Sequence, residues 1–272
     1  MAQVSITPAA WFSADAEDGA VFEVAAGGGT AVAFSLVAPA KDSGNEDAVG
    51  VVAIDADACI LVVADGAGGL PGAQAASQTA MRTVLAAITA VQTPPESWAH
   101  AVRQAIDAAN DAVMALRNGS ATTLTAVLIE GQRARCFHVG DSAAIVSGQR
   151  GALRFETVGH SPVSFAVAAG LLSEEQAMFH IDRHIVANFL GNPAMRVDIS
   201  DEIQLRSRDT VLVCSDGLTD NLLTSEIIAI MRCGPLAEVV PALISVAAQR
   251  MLGLEAGMPS KPDDLSLLVF RR

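Results

Sequence analysis

The sequence predicts an α+β protein in which two antiparallel sheets each carry a pair of helices on the outer face. Short apolar runs rich in Val and Ile are bounded by turn residues, which is typical of buried strands. Runs within one group are joined by short turns, so neighbouring strands should be antiparallel. Two amphipathic helical stretches follow the first group of runs and two more follow a later group, an order that fits helix pairs packed on two sheets.

The individual elements follow from the periodicity of apolar residues along the chain. A first edge strand is expected at 21–24. Further strands are expected at 31–37, 49–54, 59–64, 123–130, 133–139, 143–147, 153–158, 199–205, 210–214 and 265–270. Helices are expected within 81–91 and over 98–116, 224–231 and 235–252. The two runs between 143 and 158 are expected to continue the 123–139 hairpin as a meander.

The chain is expected to form a single domain over residues 31–272. Its 272 residues are 51% hydrophobic, which is enough to bury a sizeable core. No internal repeat, low-complexity tract or linker divides it. Residues 1–30 are expected to be an N-terminal extension or edge segment, whose structure the pattern does not define.

The composition argues against several classes of partner and location. The net charge of −13 disfavours binding to nucleic acid or to an anionic membrane, because phosphates require Lys and Arg. No apolar run reaches the length of about 18 residues that suggests a membrane span, and residues 1–5 lack the start of a signal peptide. The four cysteines include no Cys-x-x-Cys pair, so we expect reduced cysteines, no zinc site and a cytoplasmic protein.

Asp65 stands between an apolar run and a group of glycines. The run 60–64 is a predicted strand, and Gly66, Gly68 and Gly69 follow the carboxylate. A strand end holds a carboxylate rigidly, and glycines let backbone carbonyls approach a ligand closely. Hard divalent cations prefer such oxygen ligands. One Asp-Gly pair after a strand is usually a hairpin turn. Further motifs in the chain are therefore needed to distinguish a metal site from a turn.

Acidic residues beside apolar runs occur at four more places. These are Asn45-Glu46-Asp47, Gly140-Asp141-Ser142, Ser215-Asp216-Gly217 and Asp263-Asp264. Carboxylates gathered at one edge of a sheet repel each other unless cations neutralise them. Five such clusters therefore predict a site for more than one metal ion.

In these motifs the chain resembles the metal-dependent protein phosphatases of type 2C, the PPM family. The motifs occur in the family's order, and the resemblance spans roughly residues 31–272. It implies the family's four-layer α-β-β-α sandwich, which agrees with the order of elements. It also implies a bacterial-type enzyme that hydrolyses phosphoserine and phosphothreonine in proteins and holds two or three Mn²⁺ or Mg²⁺ ions per chain.

The resemblance assigns roles to the acidic residues. Asp65 would bridge two metal ions, and Gly66 would bind one of them through its carbonyl. Asp216 and Asp263 would hold the other, and together with Asp65 they would be the catalytic residues. Asp141 would bind a third, weaker metal ion.

Further expectations concern the surroundings of the metals. Glu46 and Asp47 would bind them directly or through water, and Asn45 and Asp264 would support the ligands. The cations would bind phosphoryl oxygens and lower the pKa of a water between them. Phosphorylated proteins and a cognate protein kinase or its substrates are the implied partners. Residues 159–192, here called the flap segment, break the strand pattern and resemble the family's variable flap, where substrate choice is often made.

Four positions depart from the family pattern. Lys41 is the only cation near the place of a phosphate-binding Arg, and Asp42 occupies that place or lies next to it. Lys41 is therefore the predicted substrate-binding residue. Ala67 stands where some relatives have a His suited to protonating the leaving group, Ala143 replaces an Arg, and Asp264 replaces an Asn.

Two other functions are compatible with parts of the sequence. A regulatory pseudo-phosphatase of the same fold would bind partners without turnover, and the departures at Lys41 and Ala143 favour it. Asp55-x-Asp57 follows an apolar strand, as in haloacid-dehalogenase-type phosphatases that use the first Asp as a nucleophile. The next strand begins at once, so a hairpin turn is the preferred interpretation. His160 resembles a family position but is not assigned as an acid.

Overall fold

The computed structural model describes residues 9–15, 18–69, 72–91 and 95–272. In chain order its strands are β1 (Ala9–Phe12), β2 (Val21–Ala26), β3 (Gly29–Leu36), β4 (Asp47–Ala53), β5 (Ala58–Asp65), β6 (Leu124–Glu130), β7 (Arg133–Val139), β8 (Ala143–Ser147), β9 (Leu153–Glu156), β10 (Asp198–Ile199), β11 (Ile203–Gln204), β12 (Thr210–Cys214) and β13 (Leu265–Arg271). The helices are α1 (Ala73–Thr89), α2 (Trp98–Met114), α3 (Pro162–Ala168), α4 (Glu174–Met178), α5 (Asp216–Thr219), α6 (Thr224–Met231) and α7 (Leu236–Met251). The signal-peptide expectation concerns residues 1–5, which lie outside the described residues.

The strands form two antiparallel sheets. The first sheet has the order β1-β4-β5-β6-β7-β10, and β11 also pairs with β7. The second has the order β2-β3-β13-β12-β8-β9. The long strands pair with sequence neighbours or with strands that return from a helix pair, as the short turns of the sequence predict.

Alternation of side chains along the central strands separates the layers of the molecule. Val62 in β5 packs among residues of α1 and α2, whereas its neighbour Val63 packs among residues of the second sheet. In β13, Leu267 packs among residues of α6 and α7, whereas Leu268 packs between the two sheets. All four side chains are fully buried. The predicted four-layer α-β-β-α sandwich is therefore confirmed.

Several element predictions agree closely with the structure. The strands at 133–139, 143–147 and 210–214 and the helix at 224–231 have the predicted bounds. The edge strand expected at 21–24 is confirmed as part of β2. β1, which pairs with β4, and the short helix α5 had no signal, because four residues are too few to show a period.

Two predictions about connectivity are wrong. Residues 143–158 do not continue the 123–139 hairpin as a meander, because β8 pairs with β12 and β9 in the second sheet. The chain crosses between the sheets at Gly140, whose φ of 107° is rare for an L side chain and where a Cβ would overlap Thr123. Residues 199–205 are not one strand, since β10 and β11 pair separately with β7.

The sheet pairings gather the predicted acidic residues at strand ends. β4 and β5 pair so that Asp47 lies directly opposite Asp65. β12 and β13 run antiparallel, with the end of one beside the start of the other, which places Asp216 and Asp263 at neighbouring strand ends. Asp141 lies in the crossing from β7 to β8. We call these five residues the acidic edge.

Candidate functional site

Asp65 is held by hydrogen bonds to its backbone on both sides. Its N–H donates to the Thr123 hydroxyl at 3.0 Å, and its carbonyl accepts from the Thr123 N–H at 2.8 Å. The Thr122 hydroxyl donates to the same carbonyl at 2.8 Å. The β5 end is therefore fixed against the start of β6, which leaves the carboxylate to face the other acids.

Two glycines allow the backbone segments of the acidic edge to approach each other. The Gly66 N–H donates to the Glu46 carbonyl at 3.0 Å, and a Cβ at position 66 would overlap the backbone of Ala73. A Cβ at Gly217 would overlap the carbonyl oxygen of Asp264. Any larger residue at these positions would push the acid-bearing segments apart.

Asp47 and its neighbour Asn45 form a connected polar group. The carboxylate of Asp47 is buried and accepts from the Ser215 hydroxyl at 2.7 Å. The Asn45 side-chain oxygen accepts from the Asp47 N–H at 3.0 Å, and its amide donates to the Ser35 hydroxyl at 2.9 Å. Asn45 thus holds the backbone at Asp47 in place.

Burial and repulsion by neighbouring carboxylates raise the pKa values of four residues of the acidic edge, namely Asp47, Asp65, Asp141 and Asp263. Burial raises the pKa of Asp65 well above its usual range, and the charges of the other four residues of the edge raise it further. The pKa of Asp141 rises to about 8, first through burial and then through repulsion by Asp216 and Asp220. Burial also raises the pKa values of Asp47 and Asp263. A nearby cation would favour the ionised form of all these groups.

Lys261 supplies one such cation. Its ammonium contacts Asp216 at 2.6 Å, Asp220 at 2.7 Å and Asp263 at 3.1 Å. Burial alone would lower the pKa of Lys261, but these three carboxylates raise it above its ordinary value. Lys261 was not predicted as a site residue. Its position two residues before Asp263 was the available signal.

The donor chemistry of the acidic edge fits Mg²⁺ or Mn²⁺. Its side-chain donors are carboxylate oxygens, and the Gly66 carbonyl belongs to the same strand end, so the available ligands are those that hard cations prefer. Within the described ranges, no group of three or more His, Cys, Asp or Glu side chains is placed to hold a metal ion. Lys261 contacts one oxygen of Asp216 and one of Asp263, so a cation that binds these same two oxygens would replace its ammonium.

Lys41 and Asp264, two residues that depart from the family pattern, form an ion pair. The Lys41 ammonium contacts Asp264 and Glu46, each at 2.7 Å. Asp264 is 2% exposed and also accepts from the N–H groups of Ala38 at 2.7 Å and Glu46 at 2.6 Å. The carboxylate that replaces an Asn is thus neutralised by the Lys found near the missing Arg. Asp264 thus organises the loop before β4 by accepting from two of its backbone N–H groups.

His160 has a structural environment. It is fully buried, and its Nδ1 accepts from the Gly140 N–H at 3.0 Å. The Asn188 amide lies 2.9 Å from the same nitrogen, and the Asp198 carboxylate lies 3.0 Å from Nε2. The hydrogen bond from Gly140 fixes the turn between β7 and β8 that carries Asp141. His160 therefore helps to position Asp141.

Asp55 and Asp57 lie in the turn between β4 and β5. The Asp55 carboxylate accepts from the N–H groups of Asp57 and Ala58, both at 2.8 Å. β4 and β5 are antiparallel. An aspartyl-phosphate enzyme needs a helix after a parallel strand, so the haloacid-dehalogenase alternative is wrong and the hairpin interpretation is confirmed.

Comparison with known proteins agrees with this geometry. The family model described as Protein phosphatase 2C matches residues 39–251. The Serine/threonine phosphatase stp of Listeria welshimeri is 32% identical over 200 residues, covering 69% of this chain and 77% of the relative. The Serine/threonine protein phosphatase PstP of Mycobacterium tuberculosis is 30% identical over 211 residues, covering 75% of this chain and 39% of the relative.

Solved structures show the same fold. The crystal structure of the Mycobacterium tuberculosis serine/threonine phosphatase PstP/Ppp has a TM-score of 0.72 at 27% identity and covers 89% of this chain and 97% of that chain. A catalytic domain of PstP in complex with two manganese ions has a TM-score of 0.71 at 25% identity, covering 89% of this chain and 96% of that chain.

Because Lys41 and Asp264 are in contact, their substitutions should change the free energy of unfolding in a non-additive way. We expect Lys41→Met and Asp264→Asn each to lower the free energy of unfolding. The double variant should lose less than the sum of the two single losses, with a coupling of about 1 to 2 kcal/mol. Urea unfolding at fixed Mn²⁺ measures the cycle. The exposed pair Arg133–Glu202, at 3.5 Å, is the control and should give a coupling near zero. Strict additivity at Lys41 and Asp264 would contradict the pairing.

Loss of the Lys261 ammonium should destabilise the protein most when metal is removed. Lys261→Met leaves three carboxylates unneutralised, so we expect the melting temperature in EDTA to fall by about 5 °C. Saturating Mn²⁺ should narrow the difference, because the cations then neutralise Asp216 and Asp263. Calorimetry of both proteins measures this, with the exposed Arg206→Met as control. Equal melting temperatures in EDTA would mean that Lys261 does not stabilise the acidic edge.

Proposed function

This chain belongs to the protein phosphatase 2C family and is a metal-dependent serine/threonine protein phosphatase, and we propose that its acidic edge holds the metal ions of that reaction. The observation that carries the proposal is the meeting of five strand-end carboxylates from both sheets at one place. The pKa values of Asp47, Asp65, Asp141 and Asp263 are raised by burial and by neighbouring carboxylates, as in a site built to be neutralised by cations.

We assign the ligands from the resemblance of these motifs to the family's motifs. Asp65 would bridge two cations, and the Gly66 carbonyl would join it at one of them. Asp216 and Asp263 would hold the second cation, and Asp141 would bind a third, weaker one. The two manganese ions of the PstP catalytic domain support Mn²⁺ and at least a pair of ions here.

Residues beside the edge would complete the site. Glu46 and Asp47 would bind cations directly or through water, since Glu46 lies next to Gly66 and Asp47 lies opposite Asp65. When bound, the cations supply positive charge for the phosphoryl oxygens and activate the attacking water. Asn45 and Ser215 would keep Asp47 in one orientation during turnover.

We propose that Lys41 also contacts the substrate phosphate. An ammonium carries three N–H donors, and Glu46 and Asp264 use two of them. The third donor and the 21% exposure of the side chain leave room for a phosphoryl oxygen. In this interpretation Glu46 and Asp264 orient the Lys41 ammonium toward the substrate phosphate, in addition to neutralising its charge.

The substrates we propose are proteins phosphorylated on Ser or Thr, including a cognate kinase or its targets. The relatives are named as serine/threonine phosphatases, which supports this class. Along the described part of the chain, no helix is long and apolar enough to cross a membrane. The four free cysteines are consistent with the cytoplasmic location that we propose. Nothing observed favours the pseudo-phosphatase alternative, because the acidic edge lacks none of its carboxylates.

Activity should depend on divalent cations. We expect hydrolysis of p-nitrophenyl phosphate and of a phosphopeptide to stop in EDTA and to return when Mn²⁺ or Mg²⁺ is added, because the acidic edge repels phosphate unless cations neutralise it. Steady-state rates before and after chelation measure this. Zn²⁺ and Ca²⁺ serve as comparison ions. Full activity of a metal-stripped sample would contradict the proposal.

Removal of one bridging charge should abolish most of the turnover. Asp65→Asn keeps the size of the side chain, and we expect kcat to fall by roughly a hundredfold or more, because the metals carry much of the catalysis. Asp216→Asn should behave alike. Exposed Asp111→Asn on α2 is the matched control, and circular dichroism checks folding. Near-normal turnover by Asp65→Asn would exclude Asp65 from the metal site.

The Lys41 proposal makes a kinetic prediction. If Lys41 holds phosphate equally in the ground state and the transition state, Lys41→Ala raises KM and leaves kcat nearly unchanged. Lys41→Arg should retain or improve affinity, because a guanidinium binds two phosphoryl oxygens at once. Initial rates with one phosphopeptide decide. An unchanged KM in both variants would limit Lys41 to its pairing with Glu46 and Asp264.

A further inference from the structure

A cavity of about 380 Å³ opens beside the acidic edge and extends to the flap segment. At one side it is lined by Asp141 and Asp216, which belong to the acidic edge. Val163 and Val167 of α3 and Met178 of α4 give it an apolar wall. A phosphate held at the edge would therefore have this cavity as its immediate neighbour.

A pair of carboxylates forms another part of the cavity wall. Glu156 at the end of β9 accepts from the Thr224 hydroxyl at 2.6 Å. Glu174 at the start of α4 accepts from the Thr224 N–H. Burial raises the pKa of Glu156, and the hydrogen bond from the Thr224 hydroxyl lowers it. The charge of Glu174 also raises this pKa, so the two carboxylates are close enough to interact.

Among the described residues, no Lys, Arg or His forms an ion pair with Glu156 or Glu174, whose hydrogen bonds come from Thr224. Arg183 also lines the cavity, but its guanidinium donates to the carbonyls of Met178 and Ser260. The cavity wall thus combines apolar surface with two carboxylates, Glu156 and Glu174, that form no ion pair within the described part of the chain.

Ala143 leaves this space open. It is 8% exposed, begins β8 and lines the cavity. An Arg at this position, as the family pattern suggests, would extend a long cationic side chain into the same volume. Because this chain has Ala there, position 143 supplies no cation to the two carboxylates.

We propose that this cavity binds a lysine or arginine side chain of the phosphoprotein substrate, from a residue close in sequence to the phosphorylated Ser or Thr. The proposal rests on the phosphatase function above. A basic side chain has an apolar stem and a charged tip. The stem matches Val163, Val167 and Met178, and the tip matches Glu156 and Glu174.

The surroundings favour a polypeptide as the occupant. Among the described residues, eleven large hydrophobic side chains are exposed, and five of them lie in the flap segment: Phe165, Leu171, Phe179, Ile181 and Ile185. Exposed apolar surface on the segment that also lines the cavity suits a protein chain that continues beyond the basic residue. The net charge of −13 further favours basic substrate segments.

Matched phosphopeptides test the proposal. A phosphoserine peptide carries arginine, or its neutral analogue citrulline, at each flanking position in turn. We expect one position at which arginine raises kcat/KM about tenfold over citrulline, as an ion pair in a partly buried site allows. Glu156→Gln and Glu174→Gln should reduce this ratio toward one, since Gln retains the oxygen that accepts from Thr224. Ala143→Arg should reduce it as well, because it fills the cavity.

Controls separate this inference from the phosphatase function. Hydrolysis of p-nitrophenyl phosphate, which has no flanking residue, should be unchanged in both Gln variants. Glu175→Gln, at an exposed neighbouring position of α4, should keep the arginine preference. Equal rates for arginine and citrulline at every position, or a preference that survives in both Gln variants, would overturn the proposal. Absence of hydrolysis of any phosphate ester would instead refute the proposed function.

Discussion

Repulsion among buried carboxylates at the acidic edge is the constraint on which the rest of the site depends. Asp47 and Asp65 lie opposite each other in register, and Asp141, Asp216 and Asp263 come from other strand ends. Such an arrangement opposes folding unless positive charge is supplied. The chain contains only two lysines, and both ammonium groups bind carboxylates at or beside this edge.

The two lysines neutralise different parts of the same surface. Lys41 neutralises Glu46 and Asp264 at the loop before β4. Lys261 neutralises Asp216, Asp220 and Asp263. This division explains how an additional carboxylate at position 264 is tolerated in a site already rich in acids. It also sets a competition, because a cation and the Lys261 ammonium would share the same Asp216 oxygen if the cation bound there.

Sequence patterns identified most of the fold and of the acidic edge for a local reason. The apolar period marks strands, and a carboxylate at a strand end stays near that end in any fold that forms the strand. Asp65 and Asp216 were therefore identifiable before their neighbours were known. The course of β8 was not, because an apolar run carries no information about which of two sheets it joins.

What the sequence by itself determined was most of the strands and helices, the antiparallel four-layer arrangement and the acids at the strand ends. What only the tertiary structure decided was which charges meet. Lys41 reaches Asp264 across 223 positions of sequence, and Glu156 and Glu174 meet at Thr224 from separate elements. Such contacts leave no local period or motif, because they arise when sheets and helices pack, and packing is set by the whole core rather than by any one segment.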